Sequence, residues 1–349
     1  MKMTRRGILQ HAALASGAAA LAGKAIAQGP GGRGRGAPAG PPPEPVALPD
    51  TQAWKRLYPE SFRNERIKTS GAEINAVIGG SGPPVLLFHG APDSLITWRL
   101  VAPELAKEYT LVMCDLRGYG DSSKPKGGGD HSDYSKRPMA LDGVEVMKHL
   151  GFNQFRMVGH DRGGRVGRRM AIDHPDKVQK LVVLDIVPAH YLYGHAVWAD
   201  AKGETHTIIE FVRAYPHWFN QLAPEPGPEY DLIRQYAAQA ATATDDVQKE
   251  YARVRNLPGF AHAQCEDYRA SASIDLKNDD ADMKAGRKIQ CPLHVLWAGR
   301  GAMGIYDVLG IWKEEGVSVT GKVLPAGSHN LQESAPKETL TELQTFLKG

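Results

Sequence analysis

Beyond Asp50, short runs rich in Val, Leu and Ile alternate with segments whose apolar residues recur every three or four positions. The runs predict buried strands at Pro84–Phe88, Thr110–Cys114, Phe155–Val158 and Lys180–Leu184, and the periodic segments predict helices over Val101–Tyr109, Met139–Leu150 and Gly163–His174. Strand and helix in regular succession imply an α/β fold, a mostly parallel sheet with helices on both faces and ligands at the C-terminal strand ends. The succession breaks after Pro188. A stretch richer in Tyr, Trp, His and helix formers follows, without a clear buried strand, until Leu293–Ala298 resumes the sheet. Val319–Leu324 reads as the last strand and Lys337–Leu347 as a last amphipathic helix. The pattern predicts a core in two parts, 50–187 and 289–349, with a helical cap, 188–288, inserted between two core strands and lying over the strand ends as a lid.

The first 49 residues do not belong to that pattern. Arg5-Arg6 precedes a modest Ala/Leu/Gly-rich region and Ala25-Ile26-Ala27, which resembles a twin-arginine export signal, residues 1–27, cleaved after Ala27. The competing reading is an N-terminal membrane anchor, but the apolar run is short and interrupted by Lys24. Residues 28–49 hold six Gly and seven Pro and read as a linker that buries no apolar surface. Arg33 and Arg35 lie among those glycines without aromatic neighbours, which is weak ground for nucleic-acid binding.

Composition sharpens the division. The 349 residues carry 42 Lys and Arg against 39 Asp and Glu, a net charge of +3. Residues 1–49 hold six basic and one acidic, so residues 50–349 hold 36 and 38, and the basic excess belongs to the leader and linker. The working part is mildly acidic, and no nucleic-acid partner is expected. The expected partners are a small anionic substrate and the twin-arginine export machinery, with a periplasmic or otherwise exported location. Oligomeric state is not legible, a homodimer being one option. Cys114, Cys265 and Cys291 are too few for a disulfide framework, although a Cys265–Cys291 bridge would be open to an exported protein. No zinc-protease, Walker or dinucleotide motif is present, so neither a metal nor an organic cofactor is expected.

The chemistry concentrates at Val158-Gly-His-Asp-Arg-Gly-Gly164, a strand-to-helix turn with glycines on either side. Such a nucleophile elbow presents one side chain to the cleft, here Asp161 rather than Ser. A carboxylate has no proton to lose. It attacks sp3 carbon and yields an ester that activated water must then hydrolyse. Its bland alternative is a helix N-cap. His329, in the loop after the last strand, is the expected base, and Asp185, ending the strand Lys180–Leu184, the orienting acid, with Asp307 and Asp282 as fallbacks. The amides of Ala91 and Arg162 are assigned to the oxyanion hole, the His89 side chain to structure, and Asp115 to bracing a loop. Arg162 and Arg165, three apart at a helix start, are more positive charge than one Asp needs. They read as a clamp for a substrate carboxylate, or else as partners of acids elsewhere.

Gly159-His-Asp-Arg-Gly-Gly-Arg165, with Asp115-Leu-Arg-Gly-Tyr-Gly120, Leu184-Asp-Ile186, His217-Trp218 and Asp267-Tyr-Arg-Ala270, resembles the haloacetate (fluoroacetate) dehalogenases of the α/β-hydrolase fold from about Glu65 onward. The resemblance implies that Asp161 displaces halide from an α-carbon while Arg162 and Arg165 hold the carboxylate. It implies that His329, oriented by Asp185, activates water, and that His217, Trp218 and Tyr268 bind the departing halide. Ala91 stands where the family carries an aromatic and Pro216 replaces another, while the stretch from Asp185 to His217 is longer. A wider pocket of this kind suits chloro- or bromo-acids, or a longer acid, better than fluoroacetate. Two other readings compete. An epoxide hydrolase would use the same Asp, His and acid with cap tyrosines, Tyr268 and one of Tyr191, Tyr193, Tyr215, Tyr230 or Tyr236. A hydrolase-fold binding protein would not turn over at all.

Overall fold

The structure, a computed structural model, describes residues 53–194, 197–199, 205–207 and 245–348. The expected signal peptide and linker, and His217, Trp218, Tyr215, Tyr230 and Tyr236, lie outside them.

Eight strands form one sheet in the order β1-β2-β4-β3-β5-β6-β9-β10. They are β1 (Arg63–Lys68), β2 (Glu73–Gly79), β3 (Pro84–Phe88), β4 (Thr110–Cys114), β5 (Phe155–His160), β6 (Val178–Leu184), β9 (Leu293–Ala298) and β10 (Val319–Leu324). From β4 to β10 every pairing is parallel; β2 meets both β1 and β4 antiparallel. The sequence pattern does not announce β1, because in Arg-Asn-Glu-Arg-Ile-Lys only Ile67 is buried. The predicted helix Val101–Tyr109 is helical only over Ala102–Leu105, and hydrogen-bonded turns carry the rest.

The inner parallel strands β3, β4, β5, β6 and β9 carry long buried runs because both faces are covered, whereas the edge strand β10 buries only Leu324. On one face Leu86, Phe88, Val112, Met157 and Val183 join a core under the helices Lys136–His149 and Arg162–Asp173. Their neighbours Val85, Leu87, Met113, Val158 and Val182 join a second core on the other face, with Leu343 and Leu347 of the helix Pro336–Lys348. The chain winds one way from β3 to β4 and the other way through β5, so the crevice of the sheet opens beyond the C-terminal ends of β3 and β5.

Between β6 and β9 the described residues form the helices Ala189–Gly194, Asp246–Arg255, Phe260–Ser271 and Ile274–Lys284. The insertion is not wholly helical: β7 (Val197–Ala199) and β8 (Thr205–Thr207) pair antiparallel. Among the described residues no helix is long and apolar enough to cross a membrane. Among the described residues no disulfide joins Cys114, Cys265 and Cys291, so the Cys265–Cys291 bridge that the sequence leaves open is not formed.

Candidate active site

Asp161 follows β5 at the sheet's reversal point and stands in the left-handed region at φ 46° and ψ −115°. A non-glycine residue there stores about 1–3 kcal/mol of strain, which the surrounding fold must hold. The flanking glycines are required by space: a Cβ on Gly159 would lie 2.4 Å from the Gly163 carbonyl oxygen, and one on Gly163 2.4 Å from that of Phe88. The Asp161 N–H donates to the Leu184 carbonyl, which ties the elbow to the end of β6. The side chain does not cap the helix that follows; it turns into the crevice.

There the Asp161 carboxylate receives the Ala91 N–H on Oδ1 at 3.1 Å, and its Oδ2 lies 3.7 Å from His329 Nε2. Arg162, as the first residue of its helix, carries an N–H without an intrahelical acceptor. On the far side of the imidazole, His329 Nδ1 and Asp185 Oδ2 are 2.7 Å apart, and Asp185 Oδ1 accepts the Ala298 N–H at 2.7 Å. Asp185 is fully buried and also left-handed, at φ 48°. The two fallback acids are engaged elsewhere. Asp307 caps the helix Val308–Glu315 through the Gly310 N–H, and Asp282 pairs with Arg169 and Arg287.

The electrostatics fit a carboxylate held ready in its charged form. Burial alone would raise the Asp161 pKa, but the charges around it, His329 first and then Arg162 and Arg165, outweigh it and bring it to about 2. Desolvation pulls the His329 pKa down, and the hydrogen bond to Asp185 with the charges of Asp161, Asp185 and Asp93 lifts it to about 9. His160, which sequence reasoning leaves without a role, packs its ring 4.8 Å from that of His329, with Nε2 donating to the His329 carbonyl at 3.0 Å. Burial first, and His329 second, push its pKa down to about 4, so it packs against His329 as a neutral ring. His89 and Asp115 sit as expected. His89 accepts the Leu116 N–H and donates to the Gly90 carbonyl, while Asp115 receives the Leu95 and Asp121 amides and the Asn75 side chain. His329 also forms a wall of a cleft of about 650 Å³ with Arg300, Gly301, Ala302, Ser328 and Asn330.

Arg162 is buried and held by the cap. Its Nη1 donates to Asp267 at 3.3 Å and to Ser271 at 2.5 Å, its Nη2 to the Tyr193 hydroxyl at 3.3 Å, and its guanidinium lies 3.5 Å from the centre of the Tyr268 ring. Of the two sequence readings of this residue, the structure shows the acidic partner, and Arg162 directly follows Asp161 in the chain. Asp267 was visible only as a letter in a motif. It is fully buried, and Lys136 and Tyr119 also bond to it. Arg165 donates from Nε to the Val187 carbonyl, and its buried Nη2 has no hydrogen-bond partner among the described residues.

Residues 83–336 match the family model described as the alpha/beta hydrolase fold. A fluoroacetate dehalogenase from a Burkholderia species is 40% identical over 302 residues, 82% of this chain and 94% of that protein. A soluble epoxide hydrolase from Corynebacterium sp. (strain C12) is 32% identical over 284 residues, 79% of this chain and 94% of the relative. Among solved structures, an alpha/beta hydrolase from Nostoc sp PCC 7120 superposes with a TM-score of 0.74 at 43% identity, covering 82% of this chain and 98% of the other. Sheet order, elbow and relatives converge on one assignment: the chain belongs to the α/β-hydrolase family and is a hydrolase-fold enzyme.

Proposed function

We propose that this enzyme hydrolyses short 2-haloacids to 2-hydroxy acids and halide, without a cofactor. The observation that carries the reading is Arg162, a buried cation next to the nucleophile and gripped by Asp267, Ser271 and Tyr268. It is matched to an anionic substrate in a way that a neutral one does not need. Identity to the fluoroacetate dehalogenase, higher than to the epoxide hydrolase, supports it.

In the first step Asp161 Oδ2 attacks the α-carbon and the C–X bond breaks, the halide leaving with the bonding pair. Oδ1, already on the Ala91 amide, becomes the carbonyl oxygen of the ester. Esterification removes the charge of Asp161, one of the groups that raise His329, so the imidazole loses its proton more readily at the stage that requires a base. Neutral His329 then takes a proton from water, which attacks the ester carbonyl carbon. Negative charge develops on Oδ1 against the Ala91 and Arg162 amides, and collapse expels the 2-hydroxy acid and restores Asp161. His217, Trp218 and Tyr268 serve as halide donors in this reading, and Arg165 as the second cation of the clamp.

Epoxide hydrolysis is the second reading, favoured by two phenols, Tyr193 and Tyr268, at the same guanidinium. Arg162→Leu separates the two. Halide release from chloroacetate falls at least 100-fold with styrene oxide turnover unaffected if the substrate is a haloacid; styrene oxide turnover by the wild type with no halide release overturns the proposal. Export by the twin-arginine route belongs to the same reading. Replacing Arg5 and Arg6 with Lys should leave the protein in the cytoplasmic fraction, and unchanged fractionation would contradict it.

A further inference from the structure

Three parts of the enzyme meet at one buried carboxylate, Asp93. It stands two residues after Ala91, whose N–H holds the nucleophile, and its own N–H donates to the Gly90 carbonyl at 3.0 Å. Asp93 Oδ2 accepts from the side chain of Asn330, the residue after His329, at 2.8 Å. Asp93 Oδ1 accepts from Arg255 Nη2 at 3.1 Å, and Arg255 Nε donates to the Pro92 carbonyl at 3.3 Å. Arg255 is the last residue of the cap helix Asp246–Arg255. One turn earlier lies Tyr251, its ring centre 5.1 Å from the Arg255 guanidinium carbon and its hydroxyl donating to Glu333, which also accepts from Asn330. The cap helix thus holds the loop that carries the Ala91 amide and the loop that carries His329 through a single acid. Burial raises the Asp93 pKa, and Arg255 is the strongest of the charges working the other way. Without that cation the carboxylate keeps its desolvation cost and loses its compensating charge, so the two loops lose a common anchor.

We propose that Arg255 is a positioning residue for hydrolysis of the aspartyl ester, acting through Asp93 to hold the Ala91 amide and His329 in register. That step needs the two groups together: water gives its proton to His329 while negative charge develops on Asp161 Oδ1 against the Ala91 amide. Ester formation asks less of them, because Asp161 is already ionised and attacks without a base. The inference rests on the ester mechanism of the proposed function and goes beyond it by placing control of the second step in the cap.

The test uses the full-length enzyme and chloroacetate. In rapid-quench single turnovers Arg255→Gln should slow ester hydrolysis about tenfold, the loss of one hydrogen bond to a charged group, and leave ester formation within about twofold. In an Asp93→Asn background the same substitution should change hydrolysis by less than about twofold, because its route of action is gone. Arg253→Gln is the control for cap docking: it breaks the pairs with Asp121 and Glu250 on the same helix and should leave the ratio of the two steps unchanged. Hydrogen exchange, which needs no turnover, should show faster exchange at residues 89–95 and 327–333 in Arg255→Gln and not in Arg253→Gln. Equal slowing of both steps, an undiminished effect in the Asp93→Asn background, or unaltered exchange in the two loops overturns the proposal. The two readings fail separately. Faster exchange of both loops without chloroacetate turnover leaves the Arg255 anchor standing and removes the dehalogenase, whereas turnover with exchange and ester hydrolysis both indifferent to Arg255 does the reverse.

Discussion

The sheet core and the seam between cap and core are both largely buried, and they are built from opposite materials. In the core, Leu87, Val158 and Trp98 pack with no exposed surface and no charge among them. In the seam, Arg168 meets Asp279 and Glu315 at 2.7 Å each, while Arg169 meets Asp279 at 2.9 Å and Asp282 at 2.6 Å. His190 lies 3.1 Å from Glu315, and Lys136 bonds to Asp267. The core tolerates no empty space, because its stability scales with apolar area and packing. The seam tolerates no missing partner, because a buried charge left alone keeps its desolvation cost. The cap therefore docks by ionic register, and the register extends to the active site through Asp267, which bonds to Lys136, Tyr119 and Arg162 together.

Single substitutions should separate the two materials. Arg169→Met leaves buried Asp282 with the half-exposed Arg287 alone and takes one of the cations from Asp279, and denaturant unfolding should read a loss of about 3–5 kcal/mol. Adding Asp282→Leu should return part of it, since removing both charges is far less costly than removing one. Leu87→Ala in the core should cost about 2–5 kcal/mol, with no second site that restores it. If the paired seam variant is no better than Arg169→Met alone, the seam is held by packing and the contrast is lost.

His190 gives the seam a pH signature that the core lacks. Burial works to lower its pKa, but the hydrogen bonds it donates to Asp279 and Glu315 leave it raised above 6.5. A group raised on folding stabilises fully below its unfolded value and loses that contribution as pH rises through its folded value. The stability gap between wild type and His190→Gln should therefore be widest near pH 6 and close toward alkaline pH. A gap independent of pH would mean that His190 is neutral in the folded protein. At the bottom of the scale stands an exposed pair, Lys284 and Asp280, 3.0 Å apart. Lys284→Ala should change stability by less than about 0.5 kcal/mol.

The contrast also explains which parts were legible in the sequence. The strands Pro84–Phe88, Thr110–Cys114 and Leu293–Ala298 lie where the apolar runs put them, since burial on both faces writes a continuous signal, and the edge strand Val319–Leu324 also lies where it was expected although only Leu324 is buried. Asp161, Asp185 and His329 were readable because each follows a strand end, and a parallel sheet brings strand ends together. The seam was not. Arg168, Arg169, Asp279 and Asp282 have the composition of a solvated helix surface, and nothing in one chain's pattern says which charges will meet across an insertion. Asp267 and Ser271 on the Arg162 guanidinium, and His160 behind His329, were missed for the same reason. Their roles depend on contacts between elements 100 or more residues apart.

The central claim is that Asp161 forms the ester and His329 clears it. The direct measurement is intact-protein and peptide mass spectrometry of His329→Ala after exposure to chloroacetate, with Asp161→Asn as the control. The account predicts that free halide appears in a single burst matched by one carboxymethyl adduct per chain. That adduct should map to Asp161 and be absent from the control. Continuous halide release by His329→Ala with no adduct, or an adduct at any other residue, would contradict it.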